Sequence, residues 1–323
     1  MIYTERNINL WRSVGQRATY GLSIMELAKL DDKLVIVTSD TSTSAGLDRF
    51  KRKYPDRYFD IGIAEQNTLG VAAGLANEGL NVFVSTFAPF QTMRCLEQIK
   101  INLAYMQIPL TFVGLASGVS LGYLGYSHCC IEDLGVLRSL PNINIISPSD
   151  TLETVKAVFA SAKSENSTYI RLTGDNDSQQ INYEDYDFQI GKAKQIIKGK
   201  KIAIIATGTS VGESKKAIEK LSKNGINCSL YNFHTVKPID RKCLEQIALE
   251  YELVFTVEEH NIIGGLGSAV SEVFIQNKIK PIQFFLGVQD TYKNTGSYSE
   301  ILESSGISSE AIYKTINEKI RSI

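Results

Sequence analysis

Glu65 stands where the segment Phe59-Asp60-Ile61-Gly62-Ile63-Ala64 runs into a stretch of small residues, Gly70, Ala72, Ala73, Gly74 and Ala76. Close-packed backbone around that position would shield a carboxylate from water. Burial without a cation disfavours the ionised form and raises a carboxyl pKa. A group of that kind is suited to holding or sharing a proton with a heterocyclic nitrogen. The alternative is a first-turn glutamate satisfied by the free N–H groups and dipole of a helix start. On the local pattern alone, that structural reading comes first.

Phe87 and Phe90 follow the apolar run Val82–Ser85, with Pro89 between them. Proline at a first helical position starts a helix, and residues three apart share a helix face. The carboxyl end of a strand is where open α/β sheets bind ligands, so two aromatics there could wall a flat heterocycle. Core packing alone explains such a pair more often, so the two rings by themselves decide nothing. The loop Gly122-Tyr123-Leu124-Gly125-Tyr126-Ser127-His128 ends in a histidine that could orient or protonate a substrate oxygen, or serve as an exposed or capping side chain. Arg171, at the end of the run Tyr169–Leu172, could grip a phosphate bidentately or form a surface ion pair. Ser39, Asp40, Thr41, Ser42, Thr43 and Ser44 could contact an anion or act as turn and cap residues.

Two glycine-rich strings invite a nucleotide reading that neither supports. Gly264-Gly265-Leu266-Gly267-Ser268-Ala269 lacks the third glycine and the downstream acid of a dinucleotide fingerprint, so close helix–strand packing is its expected use. Thr207-Gly208-Thr209-Ser210 lacks the Gly-Lys-Ser/Thr ending of a phosphate loop.

These residues need a scaffold, and the pattern of the chain supplies one. Short β-branched runs alternate with helical segments throughout. Strands are expected at Leu34–Thr38, Val82–Ser85, Leu110–Leu115, Ile143–Ser147, Tyr169–Leu172, Ile202–Ala206, Ile226–Tyr231, Leu253–Val257 and Ile282–Phe285. Helices are expected at Ala64–Asn77, Phe90–Ala104, Glu132–Ser139, Thr151–Ala162, Val211–Lys223, Arg241–Glu250, Leu266–Gln276 and Glu310–Ile320. Asp150 and Glu153 have the spacing of a capping box. Such alternation implies an α/β chain with mainly parallel sheets flanked by helices. The polar stretch Gly174–Gln189 reads as a linker, giving two domains, 1–180 and 181–323.

At 323 residues the chain is long enough for two full cores. A net charge of −1 gives no reason to expect nucleic acid or an anionic membrane as partner. No apolar run is long enough to span a bilayer, and the N-terminus lacks a signal-peptide pattern. Five scattered cysteines read as reduced thiols of a cytoplasmic protein, and three histidines, His128, His234 and His260, form no zinc pattern. No metal site is expected in this chain.

Taken in order, these segments resemble the transketolase family of thiamine diphosphate enzymes over almost the whole chain. The resemblance rests on Gly62-Ile63-Ala64-Glu65-Gln66-Asn67, Ser85-Thr86-Phe87-Ala88-Pro89-Phe90, Ser127-His128 with Ile131-Glu132-Asp133-Leu134, and Pro141-Asn142 with Pro148-Ser149-Asp150. Tyr169-Ile170-Arg171, Val257-Glu258-Glu259-His260-Asn261 and Gly264-Gly265-Leu266-Gly267-Ser268-Ala269 extend it. It implies a pyrimidine-binding domain over 1–180 and the family's C-terminal domain over 181–323. It implies that Glu65 hydrogen-bonds N1′ of the cofactor's aminopyrimidine, favouring the imino tautomer whose 4′-nitrogen removes the thiazolium C2 proton. Phe90 matches the ring that stacks on the pyrimidine, and Phe87 lines the same pocket. His128 matches a substrate-contacting catalytic histidine, and Ser44 and Arg171 match positions that bind the sugar phosphate.

The family's Mg²⁺ motif, Gly-Asp-Gly followed by an Asn, has its nearest approach in Gly174-Asp175-Asn176, within the linker. The chain also begins at the pyrimidine domain. The resemblance therefore implies the smaller subunit of a split transketolase, moving a two-carbon ketol unit between sugars or sugar phosphates. A separate diphosphate-binding N-terminal subunit would supply the Mg²⁺ and diphosphate ligands, around a homodimer core within a heterotetramer. Alone, this chain would be inactive. Leu124 stands where most of the family has an acid that contacts a sugar hydroxyl. Tyr20 stands where it has a phosphate-gripping arginine, with Arg17 one turn earlier. A modified or deoxy sugar is the substrate these departures suggest. The competing readings are the β-subunit of a 2-oxoacid dehydrogenase, a relative of deoxyxylulose-phosphate synthase, and a non-catalytic scaffolding subunit.

Overall fold

The computed structural model describes residues 4–174, 180–181, 185–276 and 280–322. Its strands are β1 (Leu34–Thr38), β2 (Tyr58–Asp60), β3 (Asn81–Phe87), β4 (Thr111–Ser117), β5 (Ile143–Ile146), β6 (Ser167–Thr173), β7 (Lys194–Ile197), β8 (Ile202–Ala206), β9 (Ser229–Asn232), β10 (Thr235–Lys237), β11 (Leu253–Asn261) and β12 (Ile282–Val288). They build a seven-stranded sheet in the order β10-β5-β6-β4-β3-β1-β2 and a five-stranded sheet in the order β12-β11-β8-β9-β7. Both are parallel apart from one antiparallel edge strand each, β10 against β5 and β7 against β9.

The central strands are apolar along their whole length because both faces are covered, as parallel sheets require. Alternation along β1 shows it directly. Val35 and Val37 face the helix Glu65–Asn77 through Leu69, Ala72, Ala73 and Ala76. Leu34 and Ile36 face the opposite layer, where Tyr20, Ile24, Ala157 and Val158 pack. In the second sheet Ile202 and Ile204 meet Val211, Leu221, Ile312 and Ile316, while Ala203 and Ile205 meet Leu244, Ile247 and Val270.

Three expectations are adjusted. The segment Phe90–Ala104 is not one helix but a short helix Ala88–Gln91, a turn Leu96–Gln98 and a π-helical stretch Ile99–Tyr105. The Thr92 hydroxyl donates to Ala88 O at 2.7 Å and Cys95 Sγ to Phe90 O at 3.2 Å, side-chain bonds that compete with the helical ladder. The strand expected from Ile226 begins only at Ser229, because Ile226 N–H closes the preceding helix on Leu221 O (3.1 Å) beyond Gly225 at φ +78°. The Asp150 cap holds Glu153 N–H at 2.9 Å, but the Glu153 carboxylate returns to Ser149 N–H (2.7 Å), one residue short of a true box.

The expected boundary at 180/181 falls between the end of β6 and the start of β7. Of the expected linker, residues 175–179 and 182–184 lie outside the described residues. Its described end packs: the Phe188 ring stacks on His234 with centroids 4.1 Å apart. The two halves are not separate in pairing, since β10 comes from the second half and joins the first sheet. Among the described residues no helix is long and apolar enough to cross a membrane.

Candidate functional site

The carboxyl ends of β1, β2 and β3 form one edge of the first sheet, and Ser44, Glu65, Phe87 and Phe90 follow from these strand ends. β1 and β2 run in register, Thr38 opposite Asp60. The chain then turns through Gly62 at φ +77°, with its N–H held by the Asp60 carboxylate at 3.1 Å. That turn delivers Glu65 as the first residue of the helix Glu65–Asn77. Behind it, Ser39 and Thr68 share a hydroxyl hydrogen bond at 2.8 Å.

Glu65 is only 6% exposed. It is nevertheless not without a cation, which corrects the sequence expectation. Arg94 Nη1 donates to Glu65 Oε2 at 2.8 Å. The same guanidinium lies over the Phe90 ring, its Cζ 4.1 Å from the centroid. On another side Phe90 meets His128 edge-on, with centroids 5.5 Å apart and planes at 73°. His128 Nδ1 pairs with Ser127 Oγ at 3.0 Å. Glu65, Phe90 and His128 therefore converge, and Arg94 is the member that sequence reasoning missed. A helical four-residue spacing does not account for it, because the helix ends at Gln91 and Arg94 N–H closes a wider turn on Pro89 O at 3.1 Å.

The other candidates are placed differently. Phe87 is half-buried and packs on the core formed with Ile36, Phe83 and Val113. Ser44 is half-buried in the turn after β1, on the same sheet edge. Leu124 is 45% exposed, in the turn Gly122–Leu124 that leads to His128. This loop is pinned from the second half of the chain, Gly296 N–H reaching Gly122 O at 3.3 Å and Tyr292 packing on Tyr126 with centroids 4.9 Å apart. Tyr20, which stands at the position of the family's phosphate-gripping arginine, is fully buried in the core.

Arg171 is the largest correction. It is 1% exposed, and it is spent inside the protein rather than on an anion. Its Nε donates to Asp133 Oδ2 (2.8 Å), its Nη2 to Glu259 O (2.9 Å) and Cys130 O (3.3 Å), and its Nη1 to Thr173 Oγ1 (3.4 Å). Although burial works against the charge, Asp133 outweighs it and keeps the guanidinium firmly protonated. Arg171 thus ties β6 to the end of β11 and does not reach the site around Glu65.

The glycine-rich string serves packing, as its sequence implied. Glu258 accepts Leu266 N–H at 2.6 Å and Gly267 N–H at 2.8 Å, so a carboxyl of this chain occupies the start of the helix Leu266–Phe274. A Cβ on Gly265 would lie 1.9 Å from Glu258 Oε2. Burial pushes the Glu258 pKa up to about 7 despite those two N–H donors, and pushes His260 down to about 4.

The donor set around Glu65 fits an aminopyrimidine. A planar N–H donor already sits on the carboxylate and on the aromatic face at once, the two contacts such a ring requires. Among the described residues no group of three His, Cys, Asp or Glu is placed to hold a metal ion. Asp175 and Asn176 of the nearest Mg²⁺-like string lie outside the described residues.

Two family models match this sequence, "Transketolase, pyrimidine binding domain" over residues 12–176 and "Transketolase, C-terminal domain" over residues 191–312. The chain is 34% identical to an apulose-4-phosphate transketolase subunit of Phocaeicola vulgatus, covering 94% of this chain and 97% of that protein. It is 32% identical to the 6-deoxy-6-sulfo-D-fructose transketolase subunit SqwH of Clostridium sp. (strain MSTE9), covering 94% and 93%. Among solved structures, a split-gene transketolase described as an inactive β4 tetramer superposes with a TM-score of 0.83 at 32% identity, covering 95% of this chain and 98% of the other.

Proposed function

The chain belongs to the transketolase family, and from that premise we propose that it is the pyrimidine-binding subunit of a split transketolase that moves a two-carbon ketol unit between sugars. The observation that carries this reading is the convergence of Glu65, Phe90 and His128 at one sheet edge. A scaffold has no use for a buried carboxylate, an aromatic face and an imidazole gathered in one place.

Thiamine diphosphate, when bound, supplies the nucleophilic carbon that cleaves and carries the ketol unit. This chain's own residues prepare that chemistry. Glu65 would hold a proton at the pyrimidine ring nitrogen, in a position where little water competes for it. Phe90 would present its face to the ring, and Phe87, half-buried at the end of β3, would line the same pocket. His128 has Nδ1 engaged by Ser127, which leaves Nε2 to donate to or accept from a sugar oxygen. Ser44 contacts the substrate's anionic end.

The diphosphate and Mg²⁺ are held by a second, diphosphate-binding subunit, and the active site lies between the two. The names of the relatives, subunits rather than whole enzymes, support this division. So does the inactive state of the solved β4 relative. Self-association of this chain forms the centre of the assembly. The helix Glu65–Asn77 leaves Gly70 and Gly74 open, and it packs on the π-helical stretch that exposes Tyr105 and Met106. The substrate is a modified or deoxy sugar, because Leu124 offers no hydrogen bond to an ordinary hydroxyl in the His128 loop. The two named relatives, which act on apulose 4-phosphate and a sulfo-sugar by name, are in keeping with such a choice.

The test combines this chain with the diphosphate-binding subunit, Mg²⁺ and thiamine diphosphate, and measures ketol transfer from ketose donors. Glu65→Gln should lower turnover at least about 100-fold, the low end of what a positioned acid–base group contributes. Normal turnover in that variant would refute the mechanism. Decarboxylation of a 2-oxoacid in place of ketol transfer would identify the dehydrogenase subunit instead.

A further inference from the structure

Arg94 makes both of the contacts that an aminopyrimidine would make. Its Nη1–H donates to Glu65 Oε2 at 2.8 Å, and its Cζ lies 4.1 Å from the centre of the Phe90 ring. A guanidinium is flat, carries N–H donors at its edge and is attracted to an aromatic face. The pyrimidine ring of thiamine is flat, meets the same carboxylate at its edge and needs the same face. The carboxylate has a second oxygen, but one ring face cannot serve both at once.

The backbone around Arg94 is fixed while its side chain is free to leave. Arg94 N–H bonds Pro89 O at 3.1 Å, and Arg94 O accepts from Gln66 Nε2 at 3.0 Å. The adjacent Cys95 is fully buried. The Arg94 side chain, however, is 45% exposed, against 5% for its partner Glu65. Swinging outward would return the arginine charge to water, so only the carboxylate changes partner.

We infer that Arg94 is an internal plug of the pyrimidine site, standing in for the ring in the free subunit and withdrawing when the ring seats. The inference rests on the thiamine diphosphate reading above. It follows that Glu65 always has a partner opposite it, first the Arg94 guanidinium and then the ring nitrogen with the proton that the two share, taken up from water as Arg94 leaves, so that a buried carboxylate is never left alone. It also follows that affinity for the ring is lowered by the strength of the Arg94 contacts. Because the plug is half-exposed, salt screens it. Raising ionic strength should therefore narrow the gap between the wild-type chain and a chain without the plug.

The experiment titrates the full chain with the aminopyrimidine half of thiamine, carrying a hydroxymethyl group in place of the thiazolium, followed by ligand-observed NMR. Arg94→Ala should bind this fragment about tenfold more tightly than wild type, equivalent to about 1.4 kcal/mol. Arg94→Gln, which keeps a flat amide without the charge, should fall between them, and circular dichroism verifies that each variant is folded. Adding Glu65→Ala to Arg94→Ala should abolish the gain. Equal or weaker binding by Arg94→Ala, including none detectable, overturns the plug, and weaker binding would make Arg94 a support for Glu65 instead. If wild type and Arg94→Ala bind alike while Glu65→Ala abolishes binding in both, the plug fails and the cofactor reading stands. If Glu65→Ala leaves the affinity of Arg94→Ala unchanged, the ring does not sit on Glu65 and both fail.

Discussion

The carboxylate of Glu259, near the end of β11 in the second sheet, accepts the backbone N–H of Val119 in the first half of the chain at 2.7 Å. Its other oxygen takes the hydroxyls of Thr209 (2.8 Å) and Tyr298 (2.7 Å). One buried side chain thus joins the loop after β4 to two helices of the second half. That loop goes on to His128, so the junction also fixes one wall of the candidate site.

Gly118 is where this junction is tightest. Its φ is +65°, and a Cβ there would lie 2.3 Å from Glu259 Oε1. Gly118→Ala must both hold a left-handed backbone and displace a buried carboxylate. A loss of about 2–4 kcal/mol is expected from strain and a broken buried hydrogen bond together. Urea unfolding would measure it, and a change within 0.5 kcal/mol, typical of ordinary surface sites, would mean that the junction yields freely.

Arg171 and Asp133 form the charged centre of the same junction, 1% and 0% exposed on their side chains. Tyr169 adds a third member by donating its hydroxyl to Asp133 Oδ2 at 2.8 Å. Asp133→Ala would leave a buried guanidinium uncompensated, for which a loss of about 3–5 kcal/mol is expected. Replacing Asp133 and Arg171 together with apolar residues of similar size should recover much of that loss, because the desolvation of both charges is removed as well. A double variant no more stable than Asp133→Ala would show that the hydrogen bonds from Arg171 to the Cys130 and Glu259 carbonyls matter more than the charge pairing.

Glu258 gives the protein a pH dependence of definite sign. Burial raises its pKa from the ordinary 4.5 to about 7, so between those values the folded chain binds more protons there than the unfolded chain. Stability from this group is therefore full below pH 4.5 and is lost as the pH rises through 7. His260 acts oppositely, since its fall from 6.5 to about 4 makes stability rise across that interval. Glu258→Gln removes the first effect and keeps the second. The variant is less stable overall, having lost one of two carboxyl contacts at the start of the helix Leu266–Phe274. Its deficit relative to wild type should narrow by roughly 2–3 kcal/mol between pH 5 and pH 7.5. A deficit independent of pH in thermal or urea unfolding would mean that Glu258 is ionised throughout.

Much of this was legible in the chain because parallel sheets write themselves as apolar runs. β1 and β8 have the bounds expected from sequence, and the helix Arg241–Glu250 does too. What was not legible depends on contacts distant in sequence. β10 is three residues long and has no partner nearby in the chain, since its neighbour β5 lies some ninety residues earlier. Arg171 at a strand end reads the same whether it faces solvent or a buried acid, and only the fold brings Asp133 and the Glu259 carbonyl to it. Tyr20 likewise gives no local sign of being in the core. The break after Gln91 escaped because Thr92 and Cys95 are tolerable helix residues until their side chains turn back to the backbone.

His128 offers the sharpest separation between binding the cofactor and handling the sugar. Its ring touches Phe90 only edge-on, and its Nδ1 is held by Ser127, so its free nitrogen is Nε2. If that nitrogen meets a sugar oxygen, His128→Ala in the assembled enzyme should raise KM for the ketose or lower turnover by tenfold or more. The Kd for thiamine diphosphate should stay within about threefold, since Glu65 and the face of Phe90 are untouched. Ser127→Ala keeps the imidazole but frees its orientation, and a smaller loss, about three- to tenfold, is expected because a hydrogen bond of this kind contributes about 1 kcal/mol. Steady-state kinetics paired with calorimetry would read both quantities. A collapse of cofactor affinity in His128→Ala, with the KM of the ketose unchanged, would assign the histidine to the pyrimidine side of the site and leave the sugar to other residues of the loop.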